Sequence, residues 1–192
     1  MELCVETSRT VAAFCEENAG ADKKLKGLPV WNLDELPEKA AGCEVVLAVG
    51  SPALKRRLEG KVLGFPFATL VHPNAVIAGG VEVREGTMIC AGAVLTTDIT
   101  IGRHVIVNVG CTIAHDCVIA DYVTCSPNCS LSGNVTVGEG SFVGAGSTVI
   151  ERVRVGPGSV VAAGAVVTKD VPAGVMVAGV PARTEKRLDG WY

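Results

Sequence analysis

The chain has 192 residues with 17 basic and 20 acidic side chains, which gives a formal net charge of −3. This near balance argues against a nucleic-acid-binding protein, which usually carries a basic stripe, and no apolar run approaches the ~18 residues of a transmembrane helix. Residues 1–10 lack the basic and apolar regions of a secretory signal. We therefore expect a cytoplasmic protein that does not insert in a membrane and whose eight cysteines are reduced thiols.

The N-terminal third alternates predicted strands with predicted helices, which is typical of a small parallel α/β domain and sets a domain over residues 1–66. Asn32 is the predicted N-cap of the first helix, and Ser51 is that of the second, which has Pro52 at its first position. The predicted elements are, in chain order, a strand at 10–15, a helix at 33–41, a strand at 44–49 and a helix at 52–59.

A six-residue repeat runs from Val71 to Pro172 without an insertion. Every sixth residue from Val71 to Val167 is aliphatic except Cys125, and the residue four places later is small or β-branched. A period of six fits neither an α-helix nor simple alternation. It predicts a parallel β-solenoid domain over residues 67–192, in which each hexad supplies one short strand and one corner and three hexads close a triangular coil.

The coil period also assigns the cysteines and histidines. Cys111, Cys117, Cys125 and Cys129 fall at inward-facing positions, where a thiol packs as a small apolar group. Cys111 and Cys129 are one coil apart, close enough for a disulfide that a reducing compartment disfavours. The three histidines stand at different ranks of the solenoid, so a metal site built from three imidazoles is not expected.

His115 is the candidate catalytic side chain. It takes the third position of its hexad, outside the barrel and near a corner, and its neighbour one coil later is Gly133. A glycine beside an exposed imidazole leaves a pocket and an accessible backbone N–H. Asp116 follows at once and can orient the ring. A lone exposed histidine is more often a surface residue without a role, so both interpretations stay open at this point.

The segment from Asn108 to Tyr122 resembles one branch of the hexapeptide-repeat acyltransferases, the sugar O- and N-acyltransferases. This branch includes sialic-acid O-acetyltransferases, perosamine N-acetyltransferases and the N-acetyltransferase of the bacillosamine pathway. The resemblance implies an α/β N-terminal subdomain followed by a left-handed parallel β-helix. It covers residues 27–183 and continues, after Tyr122, at 126–128, 132–135, 171–174 and 179–183.

The resemblance implies an acetyl-CoA-dependent acetyltransferase that acts on an amino or hydroxyl group of a nucleotide-linked sugar and needs no metal. His115 matches the general base, and Asp116 matches the acidic residue that tunes it. Asn108 matches a residue near the sugar, and Thr124 stands where some members carry a second histidine. The residues assigned to acetyl-CoA are Gly133 (through its backbone N–H), Thr124, Ala163, Gly164, Pro181 and Arg183.

In the resembling family the N-terminal domain binds the nucleotide of a UDP- or GDP-linked sugar. Glu16 and Glu17 fall where the family often has aspartates near the base, and Gly50 and Ser51 end the strand that borders the nucleotide. A solvated acidic turn and an ordinary strand end are the alternatives. The family's first strand and glycine-rich loop are not found, so we expect a truncated domain that is mobile before Pro29 and binds nucleotide sugars weakly.

Two further functions fit parts of the pattern. A degenerate, non-catalytic trimeric β-helix that serves as a binding or scaffold protein is favoured by the missing loop and disfavoured by the pair His115 and Gly133. An ice-binding solenoid needs a flat ladder of threonines, whereas the threonines here are scattered.

A homotrimer is expected because a regular solenoid leaves flat outer faces that three-fold packing would bury. By the resemblance, acetyl-CoA would lie between subunits, near His115 of one and the 162–164 corner of the next. The outward residues expected to contribute are Val94, Val109, Val118 and Val160.

Overall fold

The computed structural model describes residues 1–20 and 22–192. A small N-terminal α/β region packs against one face of a parallel β-helix that holds the rest of the chain. Within these described residues, no helix has the length and apolar character needed to cross a membrane.

The N-terminal region contains a mixed sheet rather than the wholly parallel one that the sequence predicts. Its helices and strands are α1 (Glu2–Glu6), β1 (Phe14–Glu16), β2 (Lys24–Leu25), β3 (Leu28–Asn32), a 3₁₀ turn (Leu33–Glu35), α2 (Leu36–Lys39) and α3 (Pro52–Glu59). Strand β3 is central: it pairs in parallel with β1 and antiparallel with β2. The short connection from β2 to β3 permits only a hairpin, which forces the antiparallel pair.

The prediction of a strand at residues 44–49 is wrong. This segment makes a single parallel bridge, between Val45 and Phe67, and extends into no ladder among the described residues. The segment is apolar because it is buried rather than because it pairs in a sheet. Leu47 packs with Leu36 and Ala40 of the α2 region in a small core. A short buried run cannot be distinguished from a strand by its composition alone.

The two predicted helices have different outcomes. Residues 33–41 form the 3₁₀ turn and the single-turn α2 rather than one continuous helix; the Glu35 carboxylate accepts a hydrogen bond from the Asn32 N–H at 2.9 Å. Helix α3 has the predicted bounds, and the Ser51 hydroxyl oxygen caps it by accepting from the Leu54 N–H at 3.3 Å.

The repeat folds into two-residue strands that each pair in parallel with the strand 18 residues away, as Thr112 pairs with Ser130. Three strands make one coil, so the series forms nearly six coils. The strands are β4 (Leu70–Val71), β5 (Val76–Ile77), β6 (Glu82–Val83), β7 (Met88–Ile89), β8 (Val94–Leu95), β9 (Thr100–Ile101), β10 (Ile106–Val107), β11 (Thr112–Ile113), β12 (Val118–Ile119), β13 (Thr124–Cys125), β14 (Ser130–Leu131), β15 (Thr136–Val137), β16 (Phe142–Val143), β17 (Thr148–Val149), β18 (Arg154–Val155), β19 (Val160–Val161) and β20 (Val166–Val167).

These strands form three flat sheets, one for each face of the prism. Face 1 contains β4, β7, β10, β13, β16 and β19, face 2 contains β5, β8, β11, β14, β17 and β20, and face 3 contains β6, β9, β12, β15 and β18. The hairpin of β21 (Val175–Gly179) and β22 (Ala182–Arg187) extends face 1.

The second residue of each strand points into the prism, where the aliphatic side chains stack from coil to coil. Ile113, for example, has no exposed surface. The cysteines join this core as predicted: Cys111 and Cys129 are fully buried free thiols whose Sγ atoms lie 3.5 Å apart. The core is therefore continuous through the β-helix and fixes which residues emerge at each corner.

Helix α3 attaches the N-terminal region to the β-helix through buried polar groups. The fully buried Lys55 ammonium donates to the backbone oxygens of His104 and Val123 and to the Thr124 hydroxyl, at 2.9–3.0 Å. One turn further on, Glu59 accepts hydrogen bonds from the Tyr122 hydroxyl and the Arg103 guanidinium and lies 3.1 Å from His104 Nε2. Both side chains hold α3 at the corner that joins face 3 to face 1.

Burial without a carboxylate partner makes this attachment sensitive to pH. Desolvation lowers the pKa of Lys55 from 10.5 to about 7 in the folded protein. Between these values the unfolded chain binds more protons than the folded chain, so this group makes folding more favourable as pH rises. The free energy of unfolding of the wild type minus that of Lys55→Met should therefore increase from pH 7 to pH 10, by up to ~1.4 kcal/mol per pH unit.

Chemical denaturation of both proteins across that pH range measures the difference. Lys24→Met, which removes an exposed lysine, is the matched control and should give a difference that stays constant. If the free energy of unfolding of the wild type minus that of Lys55→Met stays constant or decreases as pH rises, Lys55 keeps its proton in the folded protein.

Candidate active site

His115 lies at the corner between β11 and β12, on the edge where face 2 meets face 3. The corner is fixed on both sides, because the Asp116 N–H donates to Thr97 O in the preceding coil and the Asn134 N–H donates to His115 O from the following one. Asp116 has a φ of 59°, a left-handed conformation that aspartate and asparagine tolerate better than most residues. The imidazole points outward and is 56 % exposed.

The two nitrogens of the His115 ring have different surroundings. Nδ1 lies 2.7 Å from a carboxylate oxygen of Asp116. The opposite edge of the ring rests on Gly133, where a Cβ atom would come within 2.6 Å of Cε1 and 2.7 Å of Nε2. Only glycine leaves room for the ring here. The Gly133 N–H finds no acceptor among the described residues.

This arrangement has the parts of an acid–base centre. A carboxylate on Nδ1 selects the tautomer that leaves the Nε2 lone pair available to take a proton. A backbone N–H within reach of the same ring can stabilise an oxygen that gains negative charge. The imidazole is exposed to solvent, so a substrate or a second copy of the chain must supply the walls of a binding site here.

The other residues expected near the sugar and the thioester lie on a different corner of the same chain. Asn108 stands between β10 and β11, where its Oδ1 accepts from the Val109 N–H at 2.9 Å. Ala163 and Gly164 occupy the same corner between β19 and β20, three coils later. Face 2 separates this corner from His115, so one chain does not bring the two groups together.

The C-terminal hairpin carries the remaining residues assigned to acetyl-CoA. Pro181 lies at its turn and Arg183 at the start of β22. Arg183, Lys169 and Asp170 line a cavity of about 220 Å³ at this end of the β-helix. Lys169 stands on the same corner as His115, three coils later, so the cavity opens at the end of the edge that carries the imidazole.

Thr124 does not belong with these residues. It is only 3 % exposed, donates to the Gly50 carbonyl at 2.8 Å and accepts from Lys55. Its position on face 1 is covered by α3, and the hydroxyl both donates and accepts a hydrogen bond there. The assignment of Thr124 to acetyl-CoA is therefore corrected: in this chain the residue joins the loop before α3 to the β-helix.

The four residues assigned to the nucleotide are all engaged within the chain. Glu16 pairs with Lys23, and Glu17 pairs with Arg57 and Lys61, each at 2.6 Å. Gly50 accepts from Thr124, and the Ser51 hydroxyl donates to Tyr192 O at 2.9 Å. The hydrogen bond from Lys61 is the main reason that the pKa of Glu17 is lowered. These contacts hold the acidic turn and the loop before α3 within the chain.

Sequence reasoning missed Lys55 and Glu59, which hold α3 on the β-helix, and Trp191, which packs beside them against Tyr122. In the sequence, Lys55 and Glu59 look like the solvated face of any short helix. Within the described part of the chain, no three His, Cys, Asp or Glu side chains lie close enough together to hold an ion.

Comparisons with known proteins give the family. The repeat matches the sequence profile described as bacterial transferase hexapeptide (six repeats) at residues 134–169, and that of the hexapeptide repeat of succinyl-transferase at residues 73–97. A variant of perosamine N-acetyltransferase from Caulobacter crescentus, solved with CoA and GDP-perosamine, is 33 % identical over 96 % of this chain and 90 % of its own, with a TM-score of 0.89. The chain belongs to the hexapeptide-repeat sugar acyltransferases.

Two further structures agree with this family. The acetyltransferase domain of PglB from Neisseria gonorrhoeae, solved with acetyl coenzyme A, is 30 % identical over 95 % of this chain and 91 % of its own, with a TM-score of 0.87. WeeI from Acinetobacter baumannii is 34 % identical over 90 % and 84 %, with a TM-score of 0.83. No curated protein sequence matches. The predicted left-handed parallel β-helix of an acyltransferase is confirmed.

The contact between His115 and Gly133 makes a direct prediction. Gly133→Ala should displace the imidazole, because the added methyl group would lie within 2.6–2.7 Å of two ring atoms. The backbone φ of Gly133 lies outside the left-handed region, so the substitution adds no strain there. Nuclear magnetic resonance of the histidine ring protons should show His115 shifted while His72 and His104 keep their signals.

Gly79→Ala is the matched control. Gly79 takes the same corner position three coils before Gly133, and a Cβ there would meet nothing within 4 Å. Its histidine signals should equal those of the wild type. Unchanged His115 signals in Gly133→Ala would mean that the ring does not rest on this glycine in solution.

Proposed function

We propose that the protein transfers the acetyl group of acetyl-CoA to an amino group of a nucleotide-linked sugar, with His115 as the general base. The observation that carries this proposal is the orientation of the imidazole: a carboxylate oxygen of Asp116 lies 2.7 Å from Nδ1, and Nε2 lies on the edge of the ring that rests on Gly133. The structures of perosamine N-acetyltransferase with CoA and GDP-perosamine support an amino group over a hydroxyl as acceptor.

The residues would act together in one direct transfer. Acetyl-CoA supplies the acetyl group as a thioester. His115 Nε2 takes a proton from the amine as its nitrogen attacks the thioester carbonyl carbon, and Asp116 stabilises the positive charge that forms on the ring. The Gly133 N–H donates to the carbonyl oxygen, a contribution of ~3 kcal/mol for one such donor. The imidazolium then returns its proton to the thiolate as the C–S bond breaks.

On the acetyl-CoA side, the proposed contacts are the Gly133 N–H and Arg183, with Ala163, Gly164 and Pro181. The cavity lined by Lys169 and Arg183 lies three coils from His115, which is about 14 Å along the edge at the usual strand spacing. At that distance, Lys169 and Arg183 could bind the phosphates of acetyl-CoA while its thioester lies at the His115 imidazole.

On the sugar side, we propose Asn108 as a contact and the N-terminal region as the part that holds the nucleotide. The complex of a similar enzyme with GDP-perosamine supports a nucleotide-linked amino sugar as the substrate class. Glu16, Glu17, Gly50 and Ser51 remain the proposed border of that site. Because their polar groups already pair within the chain, we propose that they shape the site rather than bind the nucleotide directly.

A homotrimer would bring the two corners together. His115 and the corner of Asn108, Ala163 and Gly164 lie at opposite edges of face 2, so a neighbouring copy must supply the second group to the first. Val109 and Val118 are each 44 % exposed and are available for such packing. Val160 is not, since it is 4 % exposed within the chain, which corrects its place among the interface residues.

Light scattering tests the trimer. At micromolar concentration the mass should be about three times the 19.7 kDa of one chain. Val118→Arg should lower it, because a buried unpaired charge destabilises an interface. A clean monomer in the wild type would remove the basis for a site shared between copies.

His115→Ala tests the general base. The side chain is outside the core, so the variant should fold normally and lose ~10²–10⁴-fold in rate. Release of the CoA thiol with a panel of UDP- and GDP-linked amino sugars measures the rate, and His72→Ala is the matched control with wild-type turnover expected.

Near-full turnover in His115→Ala would show that another group is the general base. The alternative function, a non-catalytic binding or scaffold protein, predicts a different result: the wild type itself would release no thiol with any sugar in the panel. A panel that includes matched hydroxyl sugars separates N- from O-acetylation.

A further inference from the structure

The last five residues, which we call the C-terminal segment (188–192), run from β22 back across the β-helix to α3. The Leu188 N–H donates to Gly174 O at 2.8 Å. Four residues later, a backbone oxygen of Tyr192 accepts from the Ser51 hydroxyl at 2.9 Å and from the Ala53 N–H at 3.2 Å. The segment therefore connects the far end of the β-helix with the start of a helix in the N-terminal region.

Trp191 packs closely on the corner that joins face 3 to face 1. Its ring covers Gly140 and Gly158, where an added Cβ would come within 2.3 and 2.7 Å of ring atoms. Any side chain at either glycine would therefore displace the indole. The ring also packs against Tyr122, at 5.9 Å between centroids, and lies 4.8 Å below the Arg56 guanidinium of α3.

Tyr192 completes the cap of α3. The first N–H groups of a helix lack acceptors within the helix, and the Tyr192 oxygen supplies one to Ala53. The same oxygen accepts a hydrogen bond from the Ser51 hydroxyl, whose own oxygen accepts from the Leu54 N–H. The Tyr192 ring packs on Phe142 of face 1, at 4.9 Å between centroids.

The two ends of α3 are thus held by different groups. Lys55 and Glu59 fix its middle and its last turn to the β-helix whether or not the C-terminal segment is seated. The loop Gly50–Ser51 and the first turn depend on the segment, with one further contact from Thr124 to Gly50. Loss of the segment would loosen the loop and leave the helix in place.

We infer that Trp191 and Tyr192 are positioning residues for nucleotide binding: they hold the Gly50–Ser51 loop, through the first turn of α3, in the arrangement that receives the nucleotide. The inference rests on the proposed function for the identity of the ligand. The contacts that carry it are internal to the chain and can be tested without any substrate.

Amide hydrogen exchange tests the contacts. Trp191→Ala should raise the amide exchange rate at residues 51–55 by at least ~10-fold, which corresponds to the loss of about one hydrogen bond. The exchange rates of residues in β10 and β13 should not change. Gly140→Ala should give the same result because its methyl group displaces the ring. Gly92→Ala, at a similar φ of 69° but with only ordinary contacts, is the control for backbone strain.

Calorimetry with UDP and GDP tests the positioning. The dissociation constant of the nucleotide that the wild type binds should rise ~10-fold in Trp191→Ala, which equals the loss of one good contact. Trp191→Phe should recover most of this affinity.

Kinetics separate this inference from the proposed function. With an active sugar, the KM for that sugar should rise ~10-fold in Trp191→Ala, while kcat and the KM for acetyl-CoA stay within ~2-fold. Unchanged exchange at residues 51–55, or unchanged nucleotide affinity, would overturn the inference; tighter binding would show that the segment blocks the site instead. If the wild type binds UDP or GDP but transfers no acetyl group, the proposed function fails and the positioning role stands.

Discussion

The 18-residue stacking of coils is the constraint on which the rest of the structure depends. Because each strand pairs with the strand one coil away, a residue's neighbours are fixed by its number alone. That arithmetic puts Gly133 under His115 and leaves the imidazole supported on one side by a residue without a side chain. The ring is therefore held by the backbone of the next coil and by Asp116, and a rigid framework of this kind is what a catalytic geometry requires.

Helix α3 of the N-terminal region is fixed to this framework by buried polar contacts. Lys55 and Glu59 reach backbone and side-chain groups of a single corner, and hydrogen bonds of that kind specify one orientation where an apolar face would allow several. Thr124 is buried under α3, so its hydroxyl bonds to Gly50 and Lys55 rather than to acetyl-CoA. The same corner holds Trp191, so helix α3 and the C-terminal segment both meet the β-helix where its turns carry Tyr122 and two glycines.

The sequence predicts the β-helix well and the N-terminal region less well, for a physical reason. A period of six, repeated over about a hundred residues, leaves one consistent fold, and it assigns Cys111, Cys129 and the contact of His115 with Gly133 correctly. Residues 44–49 have no such period, and their apolar run reports burial rather than pairing. Thr124, Val160 and Lys55 depend on what packs over face 1, which spacing within the repeat does not encode.

If acetyl transfer takes place at His115, between one copy of the chain and the next, both ligands must meet at this imidazole. A crystal structure of the protein with CoA and a nucleotide-linked amino sugar would show where they bind. We expect the sugar nitrogen and the CoA sulfur next to each other on the Nε2 side of the His115 ring, with the nitrogen within the ~2.6–3.2 Å that proton transfer needs from Nε2. Ligands bound away from this corner, or an amine that faces another side chain, would contradict a reaction at His115.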